Sequence, residues 1–128
     1  MLLSVQTSPG EFLDKLSILE IKAERITAES RLANVRRELE LLRATWSASP
    51  LAGRDVSVLT AQLRVVNEAL WDIEDRIRLK EAAQAFDAEF IELARSVYRT
   101  NDRRAAIKRE LNVVLGSELL EEKSYPSY

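Results

Sequence analysis

A chain of 128 residues can bury one substantial core, and 46 % apolar against 31 % charged residues, with only three Gly and three Pro, favours long helices over a turn-rich sheet. With no Cys and no His, disulfides, thiolate nucleophiles, Cys-based metal sites and the commonest general base are all excluded. The net charge is −2, and no apolar run approaches the ~20 residues of a membrane span.

The start, MLLSVQTSPGEF, lacks the basic and apolar regions of a signal peptide. The chain therefore reads as a soluble cytoplasmic protein and a single helical domain over 1–128. Ser8-Pro9-Gly10-Glu11 opens the first helix: Ser8 as cap, Pro9 at the first helical position, Glu11 completing an S-x-x-E box. Ile18, Ile21, Arg25, Ala28, Leu32, Val35, Leu39, Leu42 and Trp46 then recur at steps of three and four. SASPLAG, 47–53, is a turn by composition, and Asp55 is the candidate cap after it. Val56, Leu59, Leu63, Val66, Leu70, Ile73 and Ile77 repeat the rhythm.

Folding the chain back around residue 51 pairs Trp46 with Val56, Leu42 with Leu59, Leu39 with Leu63 and Val35 with Val66. The pattern predicts an all-α fold built on a long antiparallel coiled-coil hairpin, about 9–47 and 55–84. Each arm has a second stripe: Phe12, Leu16, Leu19, Ala23 and Ile26 in one, and Val65, Ala69, Asp72, Arg76, Leu79, Ala83 and Phe86 in the other. Two apolar faces on one helix call for cover on both sides. Two shorter helices, about 87–99 and 102–115, are expected to cap the open base, with Asn101-Asp102 starting the last and Gly116 stopping it. Residues 118–128 lack periodicity and read as an extended tail. A homodimer is expected, since the two-faced helices remain under-covered.

Three features carry candidate chemistry. Asp72 and Arg76 interrupt an apolar stripe, either as a charged pair lining a cavity or as an ion pair at the edge of a packed face. Arg25 in the seam either binds a ligand or fixes register with its stem packed. From Arg95 to Arg109 six cations face one acid, Asp102. Arg95, Arg104 and Lys108 are candidates for an anion site with Arg25 and Arg76, with Asp72, Tyr98 and Asn101 as polar partners. Against this stands a solvated helix face, or an internal role in which Glu118, Glu121 and Glu122 fold back onto the cations. Nucleic-acid binding would need a broader basic surface than a pI near 5.3 offers. Asp72, Glu74 and Asp75 do not make a metal site at their helical spacing, and no phosphate loop, nucleophile elbow or dinucleotide fingerprint is present. No catalytic residue, cofactor or metal is assigned.

EFLDKLSILEIKAERI (11–26), VNEALWDIEDRIR (66–78), FIELARSVYRTNDRRAAIKRELN (90–112) and GSELLEEKSY (116–125) resemble, in order, the blocks of a family of small all-helical bacterial proteins of unknown function. The resemblance implies a context in surface-polysaccharide and glycosyltransferase proteins, and no catalytic residues. The functional expectation is a non-catalytic helical interaction protein, in contact with that machinery and with neither nucleic acid nor membrane. The alternative is an enzyme or binder for a sugar nucleotide or dicarboxylate held by the arginines. A hairpin with inward arginines is also similar to the all-helical chorismate mutases, though the arginine spacing departs from theirs.

Overall fold

The computed structural model describes residues 1–128, all helical where regular: α1 (Pro9–Arg25), α2 (Glu29–Ala48), α3 (Ser57–Ala82) and α4 (Ala88–Val114). The N-terminal signal of α1 is met as its residues dictate. Ser8 caps, its hydroxyl accepting from the Glu11 amide at 3.2 Å, with Pro9 at the first helical position. Asp87 caps α4 in the same way, accepting from the Phe90 amide at 3.0 Å. α4 ends in a Schellman motif: the Gly116 amide donates to the Val113 carbonyl and the Ser117 amide to the Asn112 carbonyl, with Gly116 at φ 66°.

The expected long hairpin is corrected in two respects. Its first arm, 9–47, is two helices, because Ile26 and Ala28 are extended (ψ 130° and 119°) and the chain reverses there. Adjacent β-branched residues, Ile26-Thr27, make this the weak point of the run. Folding back also lets the stripe Leu32, Val35, Leu39, Leu42 and Trp46 cover the second stripe of α1, with Trp46 stacked on Phe12 at 6.1 Å between ring centroids. α2 packs against α1 alone among the helices, so the pairing of 28–46 with 56–73 is not made.

The second arm, α3, instead forms its antiparallel hairpin with α4, through a turn at Gln84 (φ 51°). The two shorter helices expected at 87–99 and 102–115 are one continuous helix. Asn101-Asp102 is a poor helix pair, at a few tenths of a kcal/mol each, but burial of Leu93, Thr100, Ile107 and Leu111 on either side carries α4 through it. α1 lies between this hairpin and α2, antiparallel to α4, so no open base exists. Leu13, Leu63, Val66, Ile107, Leu111 and Leu115 form the core where α1, α3 and α4 meet. The second stripe expected on α3 turns outward, leaving Val65 and Leu79 in solvent at 62 % and 71 % exposure.

Gly10 sets how closely α1 approaches α4. A Cβ there would lie 2.4 Å from the Lys108 carbonyl oxygen, a backbone atom that cannot step aside, whereas one at Gly53 would meet nothing within 4 Å. Gly10→Ala is therefore expected to cost about 1–3 kcal/mol in urea unfolding, and Gly53→Ala to stay within about 0.5 kcal/mol of the parent.

Candidate functional site

Beside the apolar core, the α1/α3/α4 junction holds a set of buried polar side chains: Asp14, Ser17, Asn67, Thr100, Lys108 and Asn112. They stand on the same helical faces as the core residues, Asp14 after Leu13, Asn67 after Val66 and Asn112 after Leu111. Asp14 is the centre, at 1 % exposure. Arg104 grips it with a two-pronged pair, Nε donating to Oδ1 at 3.0 Å and Nη2 to Oδ2. Asn67 Nδ2 also donates to Asp14 Oδ1 at 2.9 Å, and reaches Ser17 Oγ at 3.3 Å. The Gly10 amide, left free at the start of α1, donates to Asn112 Oδ1 at 2.7 Å.

Lys108 extends the network to the surface. Its ammonium donates to Glu121 at 3.1 Å, pairs with Glu11 at 2.6 Å, and lies 3.8 Å from Asp14 Oδ2. Burial disfavours this charge, yet the bonds to Glu11 and Glu121 and the Asp14 carboxylate outweigh it and hold the Lys108 pKa above its usual value. The bond from Lys108 in turn holds Glu121 below the usual carboxylate range. Every buried side-chain nitrogen and oxygen is satisfied. Both Asp14 oxygens accept hydrogen bonds from side chains of other helices. The arrangement is a clamp on three helices.

Of the cations proposed from sequence, the fold brings Arg104 and Lys108 together at this clamp and places the others elsewhere. Arg25 pairs with Asp72 across α1 and α3 at 2.5 Å and lies over the Trp71 ring at 5.8 Å. Arg76 therefore does not pair with Asp72 but reaches Glu89 on α4 at 2.9 Å. Arg95 pairs with Glu92 on its own helix at 3.2 Å. Tyr98 and Asn101 line an apolar groove closed by Tyr125, Pro126 and Tyr128, the Tyr98 and Tyr128 rings meeting edge to face at 5.0 Å. The fold-back of the acidic segment is found: Glu121 sits on Lys108 and Glu122 on Arg109, at 3.1 and 3.0 Å. Five of the six cations between Arg95 and Arg109 are paired with carboxylates of the same chain.

Asp14, Asn67 and Asn112 escape a search for cationic clusters. Their signal in the sequence is a polar residue recurring beside an apolar one in a helical stripe, as in Gly10, Leu13-Asp14, Ser17 and Ile21.

The profile of a family of unknown function (DUF6165) matches residues 3–128, and the chain belongs to that family. No curated protein and no solved structure matches it.

Asp14→Asn removes the charge that Arg104 and Lys108 share at a buried position, with an expected loss of about 3–5 kcal/mol in denaturant unfolding. The pH dependence follows from the two shifted groups. Glu121, lowered in the fold, contributes above its unfolded value near about 4.3 and loses that contribution as pH falls through its folded value. Lys108, raised in the fold, contributes below about 10.4 and loses it as pH climbs through its folded value. Thermal melts across pH are expected to show a plateau between these limits and a fall at each end.

Proposed function

We propose that this member of a family of unknown function is a non-catalytic helical interaction protein that acts as a homodimer. The observation that carries the reading is the state of its cations: the five offered as a ligand site, Arg25, Arg76, Arg95, Arg104 and Lys108, are closed by Asp72, Glu89, Glu92, Asp14, and Glu11 with Glu121 of the same chain. A site built to bind an anion keeps donors free for it. Apolar surface supports the same reading. Leu2, Leu3 and Val5 precede α1, and Val113, Val114, Leu119 and Leu120 flank the end of α4; all are exposed, and the Gly10–Asn112 bond joins the start of α1 to the end of α4. On this reading the role is accessory work in cell-surface polysaccharide biosynthesis, as the resemblance of the sequence blocks implies, with the chain in the cytoplasm beside that machinery. No helix is long and apolar enough to cross a membrane.

A second reading has one observation in its favour. An open groove of about 400 Å³ runs along Lys108 and Arg109, with Glu121 and Glu122 on its far side. A dicarboxylate or sugar nucleotide that displaced these two acids would meet the same cations.

Two measurements separate the readings. For the interaction protein, light scattering gives a mass twice 14.6 kDa, and melting temperature is unchanged across a panel of dicarboxylates and nucleotide sugars. A monomer whose melting temperature rises with one of those anions would replace the first reading by the second.

A further inference from the structure

The C-terminal segment is attached to the body in an unusual way. After the Schellman motif the chain reverses at a tight turn, where Ser117 Oγ donates to the Leu119 carbonyl at 2.6 Å and accepts from the Leu119 amide at 3.1 Å. Residues 121–128 then run back along α4 in the opposite direction. Glu121 meets Lys108, Glu122 meets Arg109, and Tyr128 at the very end meets Asp102 and Tyr98. No backbone hydrogen bond joins residues 118–128 to any helix. The strap is held by side chains alone, and mostly by exposed pairs, which contribute little.

We propose that two copies of the chain exchange these straps, the Glu121-Glu122-to-Tyr128 segment of each lying on the α4 groove of the other. The inference rests on the homodimer reading and says how the dimer is made. Three observations point to a second copy as the occupant. The strap runs antiparallel to its own α4, so straightening the turn at Ser117–Leu119 sends it onward in the direction of α4. A second α4 placed end to end and antiparallel to the first receives it in the same orientation and register, which is the arrangement a two-fold axis generates. Each acid–base and tyrosine contact made within one chain is then remade between chains, so exchange sacrifices none of them.

The third observation is what gives exchange its net gain. The residues flanking the turn, Val113, Val114, Leu119 and Leu120, stand in water at 44–66 % exposure. In the exchanged dimer they come from both copies to the axis and cover one another, which is the new contact that a closed single chain does not possess. The complementarity also fits: the acids of the strap face Lys108 and Arg109, and its tyrosine faces an apolar groove lined by Val97 and Tyr98.

The chain has no cysteine, which makes the test direct. Arg109→Cys and Glu122→Cys, both at exposed positions, are placed in separately tagged full-length copies that are co-expressed, purified and treated with a short bis-maleimide. Exchange predicts a band at twice the chain mass carrying both tags, and its loss when Leu120→Glu puts a charge at the axis. A pairing of Arg109→Cys with Glu40→Cys on α2 measures random collision. If the mixed copies give no doubly tagged band above that control, while a chain with both Arg109→Cys and Glu122→Cys links only to itself, exchange is overturned. A dimer mass in light scattering together with that result would leave the interaction reading standing and remove the strap from it.

Discussion

A carboxylate taken out of water costs several kcal/mol unless opposite charge and hydrogen bonds meet it inside the protein. Asp14 is almost fully enclosed, and what meets it comes from two other helices: Arg104 of α4 and Asn67 of α3. Those partners fix where α1 must lie relative to the α3/α4 hairpin. A slide of α1 by one turn would retain apolar contact but leave the carboxylate unpaired, so the clamp selects one register among several that packing alone would tolerate. Gly10 and Asn112 make the same choice at the helix end, where close approach allows the Gly10 amide to reach Asn112 Oδ1.

The concentration of cations between Arg95 and Arg109 is accounted for by the same economy. In a protein of net charge −2 they do not form a basic field. Arg104 is the counter-charge for a buried acid, Lys108 carries the network to the surface, and Arg109 holds the strap. Buried polar groups of this kind are satisfied within the fold. The exposed features, the apolar residues at the α4 end and the weakly held strap beside them, are where contact with another chain falls.

The helices themselves were largely legible from local chemistry. Ser8-Pro9-Gly10-Glu11, SASPLAG and Gly116 mark ends that the structure uses, and the stripes on 32–46 and 56–77 are the faces that turn inward. Their partners were not legible. Any two stripes with alternating steps of three and four, read in opposite directions, give nearly constant sums. The agreement between 28–46 and 56–73 therefore carried no information about which helices touch. The stripe on α2 covers α1, and that on α3 covers α4, because short connections favour sequential antiparallel neighbours. The break at Ile26–Ala28 has no Gly or Pro to announce it, and Asn101-Asp102 announces a break that packing overrides. Asp14 was hidden for a further reason: a buried acid next to Leu13 looks like the polar side of an amphipathic helix until its partner, 90 residues along the chain, is brought to it.

The claim that one buried charge pair ties α1 to the hairpin is tested most directly by a double-mutant cycle on Asp14→Ala and Arg104→Ala, followed by urea unfolding. If the pair acts as a unit, each single change is costly and the double change costs less than the two singles added together, by a coupling of about 1–3 kcal/mol. Losses that add to within about 0.5 kcal/mol would contradict the account, because the two side chains would then stabilise the protein independently.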